Sequence, residues 1–103
     1  MIRHIVMWRL KPHAEGLDKP ANAMVLKARL ESLNGRIPGM RCLEVGLDES
    51  LTDQSADVVL YSEFDSWDAL AAYQQHPEHE AVKPFVQAVR ESRLMVDYTS
   101  PRD

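Results

Sequence analysis

The chain has 103 residues, the length of one small domain, and we interpret residues 1–103 as a single domain. Its 12 basic and 16 acidic residues give a net charge of −4, which argues against nucleic acid or an anionic membrane as a partner, because both select a basic face. The single cysteine, Cys42, excludes an intramolecular disulfide and a zinc-finger spacing. No secretory signal or membrane-spanning apolar run is visible, so we expect a cytoplasmic protein.

The first predicted element is a strand from Ile2 to Leu10, which is rich in β-branched and aromatic residues. One face carries Ile2, His4, Val6, Trp8 and Leu10, and the other carries Arg3, Ile5, Met7 and Arg9. Both faces are apolar in the middle, so we expect helices to cover one and a second subunit to cover the other. His4 lies in the first set and should point into a core or a pocket.

A loop is predicted over residues 11–17, followed by an amphipathic helix that Asp18 caps and that runs to about Leu33. Its buried stripe is Ala23, Leu26, Leu30 and Leu33, and Asn34-Gly35 should stop it. Three further strands are predicted over residues 41–47, 57–64 and 94–98. Gly46, inside the first of these three strands, indicates a bulge or a close approach by another backbone or a ligand.

Two helices are predicted between the last two strands. Asp65 or Ser66 caps the first, and Trp67, Leu70, Ala71 and Tyr73 are expected to face inward from it. His76 should close this helix, because the residue before a proline is pushed out of the helical region. Pro77 suits the first position of the next helix, which should run to about Ser92 with a kink or a split at Pro84. Its predicted buried stripe is Val82, Phe85, Val86 and Val89.

The predicted order is β-α-β-β-α-β, which is typical of a ferredoxin-like α+β fold: a four-stranded antiparallel sheet with helices on one face. Ile5, Met7 and Val59 would lie on the opposite face. Exposed apolar patches of this kind mark interfaces, so we expect a homodimer in which two sheets pack face to face.

The segment Tyr73 to His79 (YQQHPEH) is the main candidate for chemistry. The helix-proline-helix corner would bring Tyr73, in the last turn of one helix, close to His79, in the first turn of the next. A phenol and an imidazole in that arrangement form a candidate proton-transfer pair. The alternative is an ordinary corner with solvated histidines, and for His4 a buried histidine satisfied by one neighbour.

Several short motifs together resemble the stress-responsive A/B barrel (Dabb) family over nearly the whole chain. They are His4-Ile5-Val6, Ile37-Pro38-Gly39, Leu43-Glu44-Val45-Gly46, Ser62-Glu63-Phe64, the Tyr73 to His79 block and Val96-Asp97-Tyr98. The resemblance implies a dimeric α+β barrel of ferredoxin-like subunits. Some plant members are associated with stress, and some members are polyketide cyclases.

In those cyclases, a histidine matching His79 acts as base with a tyrosine matching Tyr73, and a histidine matching His4 lines the pocket. The resemblance therefore implies that His79, Tyr73 and His4 are catalytic. A further pocket histidine of the cyclases falls at Val58 here, which places Val58 among the expected substrate-binding residues but departs from the cyclase pattern.

Three functions remain open from the sequence. The first is a cofactor-free cyclase, lyase or monooxygenase-like enzyme, with His79 as base, Tyr73 as relay and His4 as donor to a developing oxyanion. The second is a binding protein that holds a small hydrophobic or aromatic ligand without chemistry. The apolar walls expected in either case are Val6, Trp8, Leu26, Leu70 and Phe85. The third, metal binding by His4, His76, His79 and Glu78, is the weakest because no ligand spacing supports it, and we expect no metal and no cofactor.

Overall fold

The structure is a computed structural model that describes residues 1–102. Six strands and four helices follow one another along these residues. In chain order they are β1 (Ile2–Leu10), β2 (His13–Ala14), β3 (Leu17–Asp18), α1 (Lys19–Glu31), β4 (Met40–Leu47), β5 (Val58–Phe64), α2 (Trp67–Gln75), α3 (Pro77–Glu80), α4 (Lys83–Val89) and β6 (Arg90–Thr99).

Four of the strands form one antiparallel sheet in the order β4-β5-β1-β6, with helices packed on one face. This is the ferredoxin-like α+β arrangement, so the predicted fold class is confirmed. β1 is a central strand, and its residue His4 lies opposite Ser62 of β5 and Asp97 of β6. The register therefore brings residues from both ends of the chain together at His4.

The core lies between the sheet and the helices. Alternate residues of β1 and β5 point into it, because successive side chains of a strand face opposite sides. Its members from these two strands are Ile2, Val6, Trp8, Leu10, Val58, Leu60 and Phe64. Within residues 1–102 no helix covers the other face of the sheet, and there Met7 is 40% exposed, Val96 49% and Leu94 72%. This face, with Ile5, Met7, Val59, Leu94 and Val96 as its apolar members, is called the outer face below.

Capping residues set the bounds of α1 and α2 much as predicted. The side chain of Asp18 accepts a hydrogen bond from the Ala21 N–H, and that of Ser66 accepts one from the Ala69 N–H. The first helix ends at Glu31, two residues before the predicted Leu33, in a turn that leads to Gly35 at φ +81°. Asn34 does not stop the helix through a left-handed backbone; its side chain hydrogen-bonds both backbone groups of Leu43 in β4.

Several expectations about the helices and loops were wrong in detail. Trp67 and Ala71 were expected to face inward but are exposed, because the core-facing side of the short helix α2 carries Leu70 and Tyr73, with Ala69 partly buried beside them. The second helical region splits at residues 81 and 82, and Pro84 lies in the first turn of α4, where its missing N–H is tolerated. That region ends at Val89, three residues before the predicted Ser92, since β6 pairs with β1 from Arg90 onward.

Two further differences concern the strands. The predicted loop over residues 11–17 contains the short hairpin of β2 and β3. The bulge that Gly46 suggested lies instead at Arg41, where the β4–β5 register shifts between Met40 and Cys42. The close approach at Gly46 comes from a side chain and not from the predicted backbone: a Cβ there would lie 3.1 Å from Val59 Cγ1.

Within residues 1–102, no helix combines the length and the apolar character needed to cross a membrane.

Candidate functional site

A cavity of about 300 Å³ lies between the sheet and the helices, at the β1–β6 side. The strands contribute its floor and helices α1 to α4 contribute its walls. The lining residues are His4, Val6, Trp8, Leu30, Leu60, Tyr73, Gln74, His79, Val82, Lys83, Val86, Gln87, Arg90 and Arg93. The three residues expected to be catalytic therefore all reach one cavity.

His4 is paired with a carboxylate that the sequence reasoning did not assign to it. The ring is 3% exposed, and its Nδ1 forms a short hydrogen bond with Asp97 Oδ1 on the neighbouring strand. The buried Ser62 hydroxyl donates to the His4 carbonyl at 2.9 Å, which ties β1 to β5 at the same point. An ionised carboxylate can only accept, so Nδ1 carries the proton and Nε2 is the nitrogen left for chemistry.

Tyr73 and His79 converge at the corner as predicted. Their rings stack with centroids 4.1 Å apart and planes inclined by 26°, and Tyr73 is 1% exposed. On its other side Tyr73 meets His4 edge-on at 6.1 Å and Phe64 at 5.1 Å. The phenol ring therefore lies between the two histidines, within a packed aromatic group.

Burial shifts the protonation of both corner residues. It raises the pKa of the Tyr73 phenol well above its ordinary value, and the positive charge of Arg93 only partly opposes this. It lowers the pKa of His79, against the opposing effect of the Gln74 carbonyl, and a positive charge on His4 would lower it further. At neutral pH Tyr73 is therefore a neutral O–H donor and His79 a neutral imidazole, and His79 Nδ1 is buried without a hydrogen bond among residues 1–102.

The corner itself is built by backbone capping. His76 ends α2 with an extended backbone, and its Nδ1 accepts a hydrogen bond from the Glu78 N–H at 3.1 Å. That hydrogen bond directs the His76 side chain to the start of α3. His76 therefore does not line the cavity. The grouping of His4, His76 and His79 around one ion is therefore not seen in the described structure; no cluster of three or more potential ligands occurs in residues 1–102.

The structure separates the expected wall residues into two groups. Val6 and Trp8 line the cavity. Leu26, Val58 and Leu70 are buried in the core and Phe85 packs at its edge, with the Arg29 guanidinium 4.4 Å from the centre of its ring. These four residues do not line the cavity, because their helix and strand positions direct them into the packing between sheet and helices.

Charged residues of the cavity were missed from the sequence. Lys83, Arg90 and Arg93 line it, and Asp97 backs it through His4. A signal was present for Asp97, since an acidic residue in the middle of an apolar strand requires a partner. Its partner is 93 residues away in the chain, so only the strand register could identify it.

Fold and cavity together define a ferredoxin-like α+β protein with an internal site lined by two histidines and a tyrosine. The chain belongs to the Stress responsive A/B Barrel Domain (Dabb) family, whose sequence profile matches residues 2–100. The resemblance seen in the sequence motifs is thereby confirmed.

Individual relatives agree with this assignment. An uncharacterised protein of Streptomyces coelicolor is 33% identical over 81 residues, which cover 79% of this chain and 81% of that protein. A dimeric protein of unknown function with a ferredoxin-like fold from Bacteroides fragilis is 32% identical, with a TM-score of 0.78 over 96% of this chain and 95% of that one. A dimeric ferredoxin-like protein of unknown function from Thermobifida fusca is 25% identical, with a TM-score of 0.82 over 96% and 90% of the two chains.

Proposed function

We propose that this protein is a cofactor-free enzyme that moves a proton at a carbon next to a carbonyl group in a small aromatic or polyketide-like compound. The observation that carries the proposal is the hydrogen bond between His4 and Asp97 on the floor of a cavity that Tyr73 and His79 also line. A histidine oriented by a carboxylate is a recurring general base, because the carboxylate fixes the tautomer and stabilises the imidazolium that forms.

The step balances with residues of this chain alone. His4 Nε2 takes the proton from the carbon, and the electron pair of the C–H bond moves onto the carbonyl oxygen to give an enolate. Tyr73, which stays protonated because of its burial, donates a hydrogen bond to that oxygen. Return of the proton from His4 to carbon completes the turnover. Alternatively, the enolate expels a leaving group from the neighbouring carbon, and this group takes the proton from His4 Nε2 as it departs, which restores the base.

His79 is the second possible base, and the resemblance to the cyclases favours it. Its lowered pKa keeps it unprotonated, which a base requires, but no carboxylate among residues 1–102 hydrogen-bonds its ring. The ring stacks on Tyr73 at 4.1 Å, so its clearest contribution in the structure is to hold the phenol in place. The pairing with Asp97 therefore leads us to assign the base role to His4 and a positioning role to His79.

Deuterium exchange in heavy water tests the proposal and separates the two bases. Aryl ketones with acidic C–H groups are incubated with the protein, and incorporation of deuterium is followed by proton NMR. Removal of a general base is expected to slow exchange about a hundredfold or more in His4→Gln, with a smaller loss in His79→Gln. The reverse order would assign the base to His79, and exchange equal to that of the buffer for every compound would contradict the enzymatic proposal.

A non-catalytic binding function is the alternative, and the apolar side of the cavity favours it. Val6, Leu30, Leu60, Val82 and Val86 line the same space and would hold a hydrophobic ligand without chemistry. Ligands that raise the melting temperature of the wild type but undergo no exchange would support this function. Saturation at about a hundred times the dissociation constant should add about 2.7 kcal/mol to the free energy of unfolding, which a melting curve resolves.

We also propose that the protein is a homodimer formed through the outer face of the sheet. Leu94 and Val96 of β6 and Met7 of β1 are exposed there, and an apolar surface of this kind is typical of an interface. The relatives from Bacteroides fragilis and Thermobifida fusca are both described as dimeric, which supports the proposal. The cytoplasmic location predicted from the sequence remains a prediction.

A further inference from the structure

We propose that the natural ligand of the cavity is a small carboxylate, whose anionic group is held by Arg93 and Arg90 while its carbonyl end lies against Tyr73 and His4. This inference rests on the proposed function and adds the class of substrate to it. The site would select a keto acid over the corresponding neutral ketone, ester or amide.

The charge of the lining residues differs from that of the whole chain. The protein carries a net charge of −4, yet among residues 1–102 the charged residues on the cavity wall, apart from the histidines, are Lys83, Arg90 and Arg93, with no aspartate or glutamate. Low-dielectric walls lined by one sign of charge concentrate ions of the opposite sign. A cationic cavity in an acidic protein therefore indicates an anionic ligand.

The two arginines are available for such a ligand. Lys83 Nζ is already engaged, with the Gln74 carbonyl at 2.9 Å and Glu80 Oε1 at 2.6 Å. No hydrogen bond or ion pair of the Arg90 or Arg93 side chain occurs within residues 1–102. A guanidinium offers five donors in a planar fork that matches a carboxylate, so two unengaged guanidinium groups at one cavity are suited to hold one.

A third donor lies beside them. The indole Nε1 of Trp8 is buried without a hydrogen-bond partner within residues 1–102, although Trp8 lines the cavity. Trp8 and Arg93 are paired residues across β1 and β6, so the indole and the guanidinium belong to neighbouring strands at the same level. A buried N–H without a partner is unfavourable, and an acceptor atom of a bound ligand would satisfy it.

The spacing along β6 orients the ligand. Arg93 and Asp97 point to the same side of the strand, and at about 3.3 Å per residue their Cα atoms are about 13 Å apart. Arg93, Tyr73 and His4 all line the one cavity, and the long arginine side chain shortens the distance that a ligand must span. A ligand can thus reach from the arginines to the His4 end with a short chain, and a cavity of about 300 Å³ suits an aryl keto acid.

Binding can be measured without turnover by tryptophan fluorescence. The chain has two tryptophans, and Trp67 is 52% exposed on the helical side, so Trp67→Phe leaves Trp8 in the cavity as the only reporter. In this background the protein is titrated with benzoylpropionate and with its neutral amide, which matches it in size. Aryl ketones quench indole fluorescence, so saturable quenching reports occupation of the cavity.

The expected result is that the carboxylate binds at least about tenfold more tightly than the amide, because its hydrogen bonds are charge-assisted. Arg93→Gln should remove this preference and Arg90→Gln should reduce it, each with little change in amide binding. Arg29→Gln, which removes an equal charge from the α1 surface over Phe85, should leave the preference intact. Melting curves of the three variants show whether each is folded.

Equal binding of carboxylate and amide, no saturable quenching by the carboxylate, or a preference that survives in Arg93→Gln would each overturn the inference. Inorganic phosphate is added as a competitor. If phosphate displaces benzoylpropionate with equal or higher affinity, the preferred ligand is a phosphate and the carboxylate inference is wrong. Arginine-dependent binding without deuterium exchange would leave the inference standing and contradict the enzymatic proposal. Deuterium exchange on neutral ketones, without tighter binding of the keto acid, would support the enzymatic proposal and contradict the inference of a carboxylate ligand.

Discussion

Tyr73 contacts both histidines of the candidate site. Its ring stacks on His79 and lies edge-on to His4, and it is almost completely buried. Loss of water around the phenol raises its pKa, so the group stays protonated, and able to donate a hydrogen bond, at neutral pH. We therefore propose that Tyr73 acts as a fixed donor, in place of the relay role expected from the sequence.

Removal of the phenol oxygen separates this role from packing. Tyr73→Phe keeps the stacked ring, so the free energy of unfolding should change by no more than about 1 kcal/mol. Loss of one donor to the developing oxyanion should slow deuterium exchange about a hundredfold. Tyr73→Ala should instead cost about 3–5 kcal/mol of stability, because it leaves a cavity between the histidines. Urea unfolding and the exchange assay on both variants check this, and unchanged exchange in Tyr73→Phe would contradict the donor role.

His79 makes the stability of the protein depend on pH in a defined direction. Burial lowers its pKa in the folded state below the ordinary 6.5, so the unfolded chain binds more protons in this range. The free energy of unfolding should therefore fall as the pH drops below about 6.5, and the loss should be complete once the pH is below the folded-state pKa. Urea unfolding at about pH 7.5 and about pH 5.5, on either side of the ordinary histidine pKa, measures the difference.

The matched variants are His79→Gln and His13→Gln. His79→Gln should reduce the pH dependence, because it removes the group whose pKa differs between the two states. His13 is exposed in the β2–β3 hairpin, so its replacement should leave the dependence close to that of the wild type. An unchanged slope in His79→Gln would show that other groups cause the dependence.

At the scale of the elements, one tight contact sets the position of α2 and thus of Tyr73. Gly39, just before β4, has φ +78°, and a Cβ built on it would lie 2.6 Å from the Cβ of Ala69 in α2. The Gly39 carbonyl also accepts a hydrogen bond from the Asp65 N–H at 2.9 Å, just before that helix. Backbone and helix meet here without room for a methyl group.

A substitution series can separate this clash from backbone strain. Gly39→Ala should destabilise the protein by at least about 2 kcal/mol, since it combines a left-handed backbone with overpacking. Gly35→Ala has nearly the same strain, at φ +81°, but nothing lies within 4 Å of its Cβ, so it should cost clearly less. In Gly39→Ala, the second change Ala69→Gly should recover about 1 kcal/mol, as measured by a double-mutant cycle of unfolding. Equal losses in the two glycine variants would contradict the clash.

The sequence was sufficient for the elements whose signals are local. Asp18 caps its helix as predicted, Ser66 is the one of the two predicted candidates that caps α2, and the β-branched and aromatic content of β1 predicted its bounds at Ile2 and Leu10. It was insufficient where tertiary pairing competes with local pattern: β6 begins at Arg90 because β1 offers a partner there, although the preceding residues continue a helical pattern. The same holds for the candidate site. The corner from Tyr73 to His79 is formed by residues close in sequence and could be predicted. Asp97 and Arg93 reach the cavity through the pairing of β6 with β1, which the sequence alone does not reveal.

At the scale of the whole molecule, the outer face predicts the assembly. Val96→Glu places a charge among Ile5, Met7 and Leu94, where a second sheet is proposed to pack, and should convert the homodimer into a monomer. Leu51→Glu is the control, because Leu51 is 83% exposed in the loop before β5 and lies off the sheet. Sedimentation velocity at micromolar concentration distinguishes the species. A wild type that is already monomeric, or a Val96→Glu variant that stays dimeric, would contradict this interface.

The position of one proton on His4 decides whether the cavity holds an oriented base. Nitrogen-15 NMR of the imidazole rings reads the tautomer of each histidine directly, and Asp97→Asn provides the assignment and the control. We expect neutral His4 to carry its proton on Nδ1, with Nε2 unprotonated, and we expect this preference to weaken in Asp97→Asn. A proton on Nε2 in the neutral wild-type ring would contradict the pairing with Asp97 and would remove His4 as the base.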